Sequence, residues 1–156
     1  MVSRHMPPEL FVFLLALLPL TEVRVAIPAG IFVWGLHPLY AIAIAFLGSL
    51  TVIAVVAPAL WKLGNWLTKH PLLSKIVLPI FERTHSQHKK RFEHLKDLAL
   101  FIFVLLPLPL SGVWSGILAG FVFGFSLKKT MALCALGALG SALIVGILSV
   151  GVWGLL

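Results

Sequence analysis

Glu22 and Arg24 stand two residues apart inside the first long apolar stretch of the chain, flanked by Pro19 and Pro28. A charged side chain at the centre of a bilayer costs about 2.5–3.5 kcal/mol on the lower of the measured scales, so it persists only when paired or facing a cavity. Two prolines this close oppose a continuous helix. Irregular backbone at membrane depth is tolerated only where it is buried in protein or lines a water-filled space, so the break itself predicts a polar centre. Arg24 makes such a centre attractive to a negatively charged group, since its planar fork matches two oxygens. Glu22 then either holds Arg24 or carries a coupling proton. The simpler alternative is an ion pair that staples two half-helices together.

A second break carries the complementary residues without charge: Pro107, Pro109, Ser111, Gly112, Trp114, Ser115 and Gly116. Small residues let backbones approach closely. A helix starting near Val113 would direct unpaired N–H groups into this break, as would one starting near Val25, and helix N-termini attract anions. The candidate substrate-binding and coupling set is therefore Glu22, Arg24 and Pro28 with these seven residues.

Other constellations are weaker. Glu82, His85 and His88 have a spacing that suits a metal on a helix face, but Lys89, Lys90 and Arg91 follow directly and repel a cation, so no metal is expected. Cys134 is the single cysteine and lies in an apolar run, which excludes a disulfide framework and reads as a small buried hydrophobe. No nucleophile with a base and no cofactor loop is present, so neither enzyme activity nor a cofactor is expected.

The elements that must position these residues follow from composition. Hydrophobic residues make up 60% of the 156, charged residues 11%, and the mean hydropathy is +1.09. A soluble domain has about 25% charged residues, so this is one integral membrane domain covering residues 1–156, with no room for a soluble catalytic unit. The net charge of +7 does not indicate nucleic acid, because Lys62, Lys69, Lys75, Arg83, Lys89, Lys90, Arg91 and Lys96 cluster in one central segment between apolar blocks. Such clustering orients a membrane protein.

Ala41 to Leu60 and Met131 to Val150 each meet the roughly 20 apolar residues a single span needs. The stretches before them do not: Leu10 to Leu20, Val25 to Gly35, Leu98 to Leu106 and Val113 to Phe125 are short and end at Pro, Gly or polar residues. A secretory signal at the N-terminus is rejected, since no small-residue cleavage site follows and removal would delete one copy of a repeat. That repeat aligns residues 19–30 with residues 109–120 without gaps, six of the twelve being identical, at an offset of 90. Phe46 to Leu50 matches Ala135 to Leu139 at an offset of 89. The expected organisation is repeat 1 over about 9–60, an interfacial amphipathic linker over about 61–97 carrying Trp61 and Trp66 at headgroup level, and repeat 2 over about 98–156.

Charge chooses between parallel and inverted copies. With re-entrant first segments, the central segment and Lys128-Lys129 share one side, opposite Arg4; with four full spans, the two lysines are stranded outside. The positive-inside rule favours the former: an all-α fold of two inverted repeats, each a re-entrant broken-helix hairpin plus one transmembrane helix, with a cytoplasmic middle. The expected location is the plasma membrane.

Glu22-Val-Arg-Val-Ala-Ile-Pro28 resembles the E-x-R-x-x-I-P signature of the small multi-drug export proteins, and residues 107–116 resemble their P-L-P-x-T-G-x-W-T-G signature. The resemblance covers nearly the whole chain. It departs at Val25 and Leu110, where glycine is usual, at Ser111 and Ser115, where threonine is, and at Ser49 in place of asparagine. That family is distantly similar to the DedA-type membrane proteins, a resemblance that implies re-entrant inverted repeats and translocation of polyprenyl phosphate carriers and other lipids. The leading expectation is thus a small transporter of an anionic amphiphile, a lipid-linked phosphate, cradled by Arg24 and two helix N-termini, with proton or sodium coupling. The alternatives are proton-coupled export of lipophilic cations, with Glu22 as binder, and a non-transporting scaffold. Membrane lipids are the expected partners, nucleic acid is not, and the small enclosed volume of one chain leaves room for a homodimer.

Overall fold

A computed structural model describes residues 6–68, 90–108 and 111–153, with the side chains of 67, 68, 90–93 and 153 left aside. Among the described residues all regular structure is helical: α1 (Pro8–Leu17), α2 (Glu22–Phe32), α3 (Pro38–Thr68), α4 (Lys90–Leu105), α5 (Val113–Val122) and α6 (Leu127–Trp153). The metal reading at Glu82, His85 and His88, Arg4 and Pro109 lie outside the described residues.

Local chemistry explains most of the boundaries. α1 opens with Pro8 in its first turn, where a missing N–H costs nothing. It closes at Leu18, which takes an extended conformation (φ −76°, ψ 139°) because Pro19 follows and disfavours helix at the preceding residue. α2 and α5 both end at glycines with left-handed backbone nearby, Gly35 (φ 64°) and Gly124 (φ 72°). The two long helices carry stretches, Pro38–Trp66 and Leu127–Val152, with mean hydropathies of 2.5 and 2.3, long and apolar enough to cross a membrane.

Several boundaries differ from expectation. α2 starts at Glu22, not Val25, and runs through Pro28 without a break. α3 keeps Pro58 inside, as the expected span did, and continues past Leu60 to Thr68. Pro removes one N–H and crowds one carbonyl, but a helix packed on neighbours along its length can absorb that. Residues 61–68 therefore extend the first long helix and residues 90–97 open α4, where an interfacial linker was expected.

The two halves are built alike. α1 packs on α2 and on α3, while α4 packs on α5 and on α6; across the halves α3 meets α6, α2 meets α6 and α3 meets α5. A Cβ built on Gly48 of α3 would fall 2.7 Å from Ala16 Cβ and 3.1 Å from Phe13 O of α1. On Gly137 of α6 it would fall 2.7 Å from Val104 Cβ and 3.2 Å from Phe101 O of α4. These are the same crossing made twice, 88 to 89 residues apart. Two apolar clusters form, each shared between the halves: one joins Val12, Ala26, Ile27 and Ala45 to Ala142 and Val145, the other joins Val104, Ile117 and Cys134 to Val52, Ile53 and Ala57.

Contacts along the helices order their ends. Phe11, early in α1, stacks on Trp34, just past α2, at 5.4 Å between centroids. Trp61, late in α3, meets Phe121 of α5 edge-on at 5.2 Å. Lys96 and Ala99 of α4 line a common cavity with Phe123 and Phe125, just past α5. Val150, late in α6, shares a smaller one with Gly35 and His37.

Candidate functional site

The turns between α1 and α2 and between α4 and α5 meet, with Leu18, Leu20 and Leu108 exposed on their outer side and Glu22 and Ser111 buried between them, and each closes the other. A helix leaves its last carbonyls unpaired, and here side chains take them. Thr21 donates its hydroxyl to Leu15 O within the first turn. Its repeat counterpart Ser111 lies with Oγ 2.6 Å from Leu106 O and 2.9 Å from Leu108 O, and accepts from the Leu108 amide at 3.2 Å.

The bracing across the halves is reciprocal. Arg24 donates Nη1 to Leu108 O and Nη2 to Ser111 Oγ (3.4 Å). Trp114, which aligns with Arg24 at the 90-residue offset, donates its indole Nε1 to Leu17 O at 3.1 Å. Each half thus sends one donor side chain across: Trp114 to the last residue of α1, and Arg24 to the turn just past α4.

Charge enters from the first half alone. Glu22 is 5% exposed, and its Oε2 lies 3.6 Å from Arg24 Nη2. Oε1 accepts from the Trp114 backbone N–H at 3.4 Å, at the first turn of α5. Glu22 is also the first residue of α2, so one carboxylate stands at two helix N-termini. Both termini were expected to lie open to a substrate anion; that facing Glu22 in α5 is occupied by the protein's own carboxylate.

Gly112, the repeat counterpart of Glu22, makes the space. Its backbone (φ 148°, ψ −165°) is a conformation side chains rarely adopt, and a Cβ there would fall onto the Glu22 carboxylate. Glu22 itself holds φ 42°, the only positive φ at a non-glycine among the described residues. Such strain persists where surroundings over-determine it, and it clusters at binding and switch sites.

Of the expected residues, Glu22, Arg24, Ser111, Gly112 and Trp114 converge in this network. Ser115 turns away, its hydroxyl bonding back to Gly112 O at 3.3 Å. Gly116 serves packing, facing Val104 and Cys134. Pro28 is half-buried inside α2, and Pro107 is half-buried in the turn. Thr21 and the carbonyls of Leu17 and Leu108 were not anticipated; alignment of Thr21 with Ser111 was the available signal for the first. Arg24 Nε is buried without a hydrogen-bond partner. Among the described residues no group of three or more potential metal ligands occurs.

Neither a curated protein nor a solved structure gives a significant match to the chain. The family model described as "Putative small multi-drug export protein" matches residues 22–144, from the buried glutamate through most of α6. With two helices able to cross a membrane and most of its length covered by that match, the chain belongs to this family of small membrane export proteins.

Proposed function

We propose that the chain is a transporter, not an enzyme, that exports an anionic amphiphile through the junction of its two turns, the headgroup exchanging with Glu22. The observation that carries this reading is the seat of the Glu22 carboxylate. A guanidinium, a helix N-terminal amide and the gap left by Gly112 together form a cradle for an anion, and Glu22 fills it. When Glu22 takes up a proton its hold on Arg24 weakens, and a substrate phosphate can replace it; proton uptake and substrate entry are thereby coupled. Arg24 Nε, unpartnered with Glu22 in place, offers a further donor to the incoming oxygen. The resemblance to the DedA-type proteins makes a polyprenyl phosphate the first substrate to test.

The mutual contacts support re-entrant, inverted repeats. Stacking of Phe11 on Trp34 supports entry and exit of the first hairpin at one end, and the cavity shared by Lys96 and Phe123 supports the same for the second at the opposite end. The turns would then meet at mid-depth, each half crossing once through α3 or α6. A plasma-membrane protein with its basic segment in the cytoplasm fits this arrangement.

The family's description favours a second reading, export of lipophilic cations with Glu22 as binder and proton carrier. Arg24 separates the two, because a fixed positive charge 3.6 Å from the carboxylate opposes a cation. In proteoliposomes the wild type should move polyprenyl phosphate, Arg24→Lys should retain part of the rate, and Arg24→Ala should lose it. A folded Arg24→Ala protein that still moves the phosphate, or wild-type transport of ethidium without phosphate transport, would overturn the anionic reading. A protein that moves neither would be a scaffold.

A further inference from the structure

Away from the charged junction, a cavity of about 370 Å³ opens between α4 and α5. Its walls are apolar, from Ala99, Phe103, Ala119, Phe123 and Phe125, and among the described residues the one charged side chain lining it is Lys96. That volume lies at the small end of the roughly 300–1,000 Å³ typical of ligand sites. It suits a stretch of alkyl chain and not a whole lipid.

Cations gather at the same end. Phe125 forms part of the wall, and Lys129 Nζ lies 5.9 Å from its ring centroid. Lys129 also pairs with Asp97 at 2.8 Å, which fixes the start of α6 against α4. Lys128 precedes it, exposed, in the first turn of α6. An apolar slot lined by Lys96, with the exposed Lys128 three residues beyond its wall residue Phe125, is complementary to an amphiphile carrying negative charge next to an acyl chain. A soluble anion would leave the aromatic wall unused, and a neutral lipid would leave the lysines unused.

We propose that this groove holds one anionic phospholipid, its acyl chain along Phe103 and Phe123 and its phosphate at Lys96 and Lys128. The site is separate from the Glu22–Arg24 junction and would hold a resident lipid, not the transported one. Because it runs along α4 from Lys96 to Phe103 and meets the end of α5, an occupied groove ties the two helices of the second hairpin together.

Native mass spectrometry tests this on the full chain released from detergent after titration with phosphatidylglycerol or with phosphatidylcholine of identical acyl chains. The wild type should retain one phosphatidylglycerol at least about fivefold more strongly than phosphatidylcholine. Lys96→Gln/Lys128→Gln should remove that preference, while Lys62→Gln, at an exposed lysine of α3 that does not line the groove, should leave it unchanged. Ala99→Phe, which fills the slot, should lower retention of both lipids. Equal retention of the two lipids by the wild type, or an unchanged preference in the double lysine variant, would mean annular lipid only and overturn the proposal. The lysine variant alters partly exposed side chains, so its result stands even if Ala99→Phe fails to fold.

Discussion

Gly112 and Glu22 occupy equivalent places in the two halves, and what one lacks the other fills. Gly112→Ala should therefore do two things: force an unfavourable backbone (φ 148°) and push the Glu22 carboxylate out of its seat. The expected loss is about 2–4 kcal/mol, combining strain with overpacking. Gly35→Ala isolates the first effect, since Gly35 also has a positive φ but nothing stands within 4 Å of its added Cβ; about 1–2 kcal/mol is expected. Thermal unfolding in detergent compares them, and equal losses would show that the Glu22 contact contributes nothing. Arg24 gives a companion test. Arg24→Ala leaves a buried carboxylate with its cation gone and should cost about 3–5 kcal/mol, whereas Glu22→Gln/Arg24→Gln should recover most of that. Recovery of stability without recovery of transport would separate the pair's two roles. The pairing itself was legible, because charges in an apolar stretch need partners. The repeat also brought Trp114 to the same site; what was not legible is that Glu22 itself takes the Trp114 backbone N–H, because which anion faces a helix N-terminus depends on packing across 92 residues.

Helix crossings carry the likeness of the halves more directly than sequence identity does. Gly48 against α1 and Gly137 against α4 admit the same close approach, with a backbone carbonyl about 3 Å from where each Cβ would stand. Gly48→Ala and Gly137→Ala should each destabilise by about 1–3 kcal/mol through overpacking, and by similar amounts. Gly151→Ala is the control, since nothing lies within 4 Å and alanine favours helix; it should be neutral or stabilise by up to about 1 kcal/mol. Melting curves of the three variants suffice, and a large difference between Gly48→Ala and Gly137→Ala would undo the equivalence. At this scale the sequence was readable in type and less so in extent. Alternation of short and long apolar stretches predicted six helical pieces, with Pro58 inside the third, but Pro28 was taken to oppose continuous helix and Leu60 to close the third piece. Proline's local penalty is visible in a sequence, while the packing that absorbs it, such as Ile27 and Ala57 at 0% exposure, is not.

Taken whole, the molecule separates its charge by end. Glu9 and His37 belong to the end where Phe11 stacks on Trp34; His94, Lys96, Lys128 and Lys129 belong to the end where α4 begins and α5 finishes. A count of basic residues along the sequence predicts which end faces the cytoplasm, and the middle of the chain, where most of them lie, is largely outside the described residues. The inverted arrangement makes a sharp prediction about sidedness. In a Cys134→Ala background, which removes a fully buried thiol, single cysteines can be placed at the exposed positions Glu9, His37, His94 and Lys128. If α1 and α2 form a re-entrant hairpin, positions 9 and 37 should react with an impermeant maleimide from one face of the membrane. If α4 and α5 form another, positions 94 and 128 should react only from the opposite face, which the positive-inside rule makes the cytoplasm. Four full crossings predict a different pattern, because α1 with α2 would then traverse the bilayer and put position 9 across from position 37. The two short helices have only 10 and 11 residues, about 15 Å each, so end to end they would barely reach across roughly 30 Å of hydrocarbon, and folded back they reach its middle. Reaction of positions 9 and 37 from opposite faces would therefore remove the mid-depth junction, and with it the route by which Glu22 could exchange for a substrate headgroup.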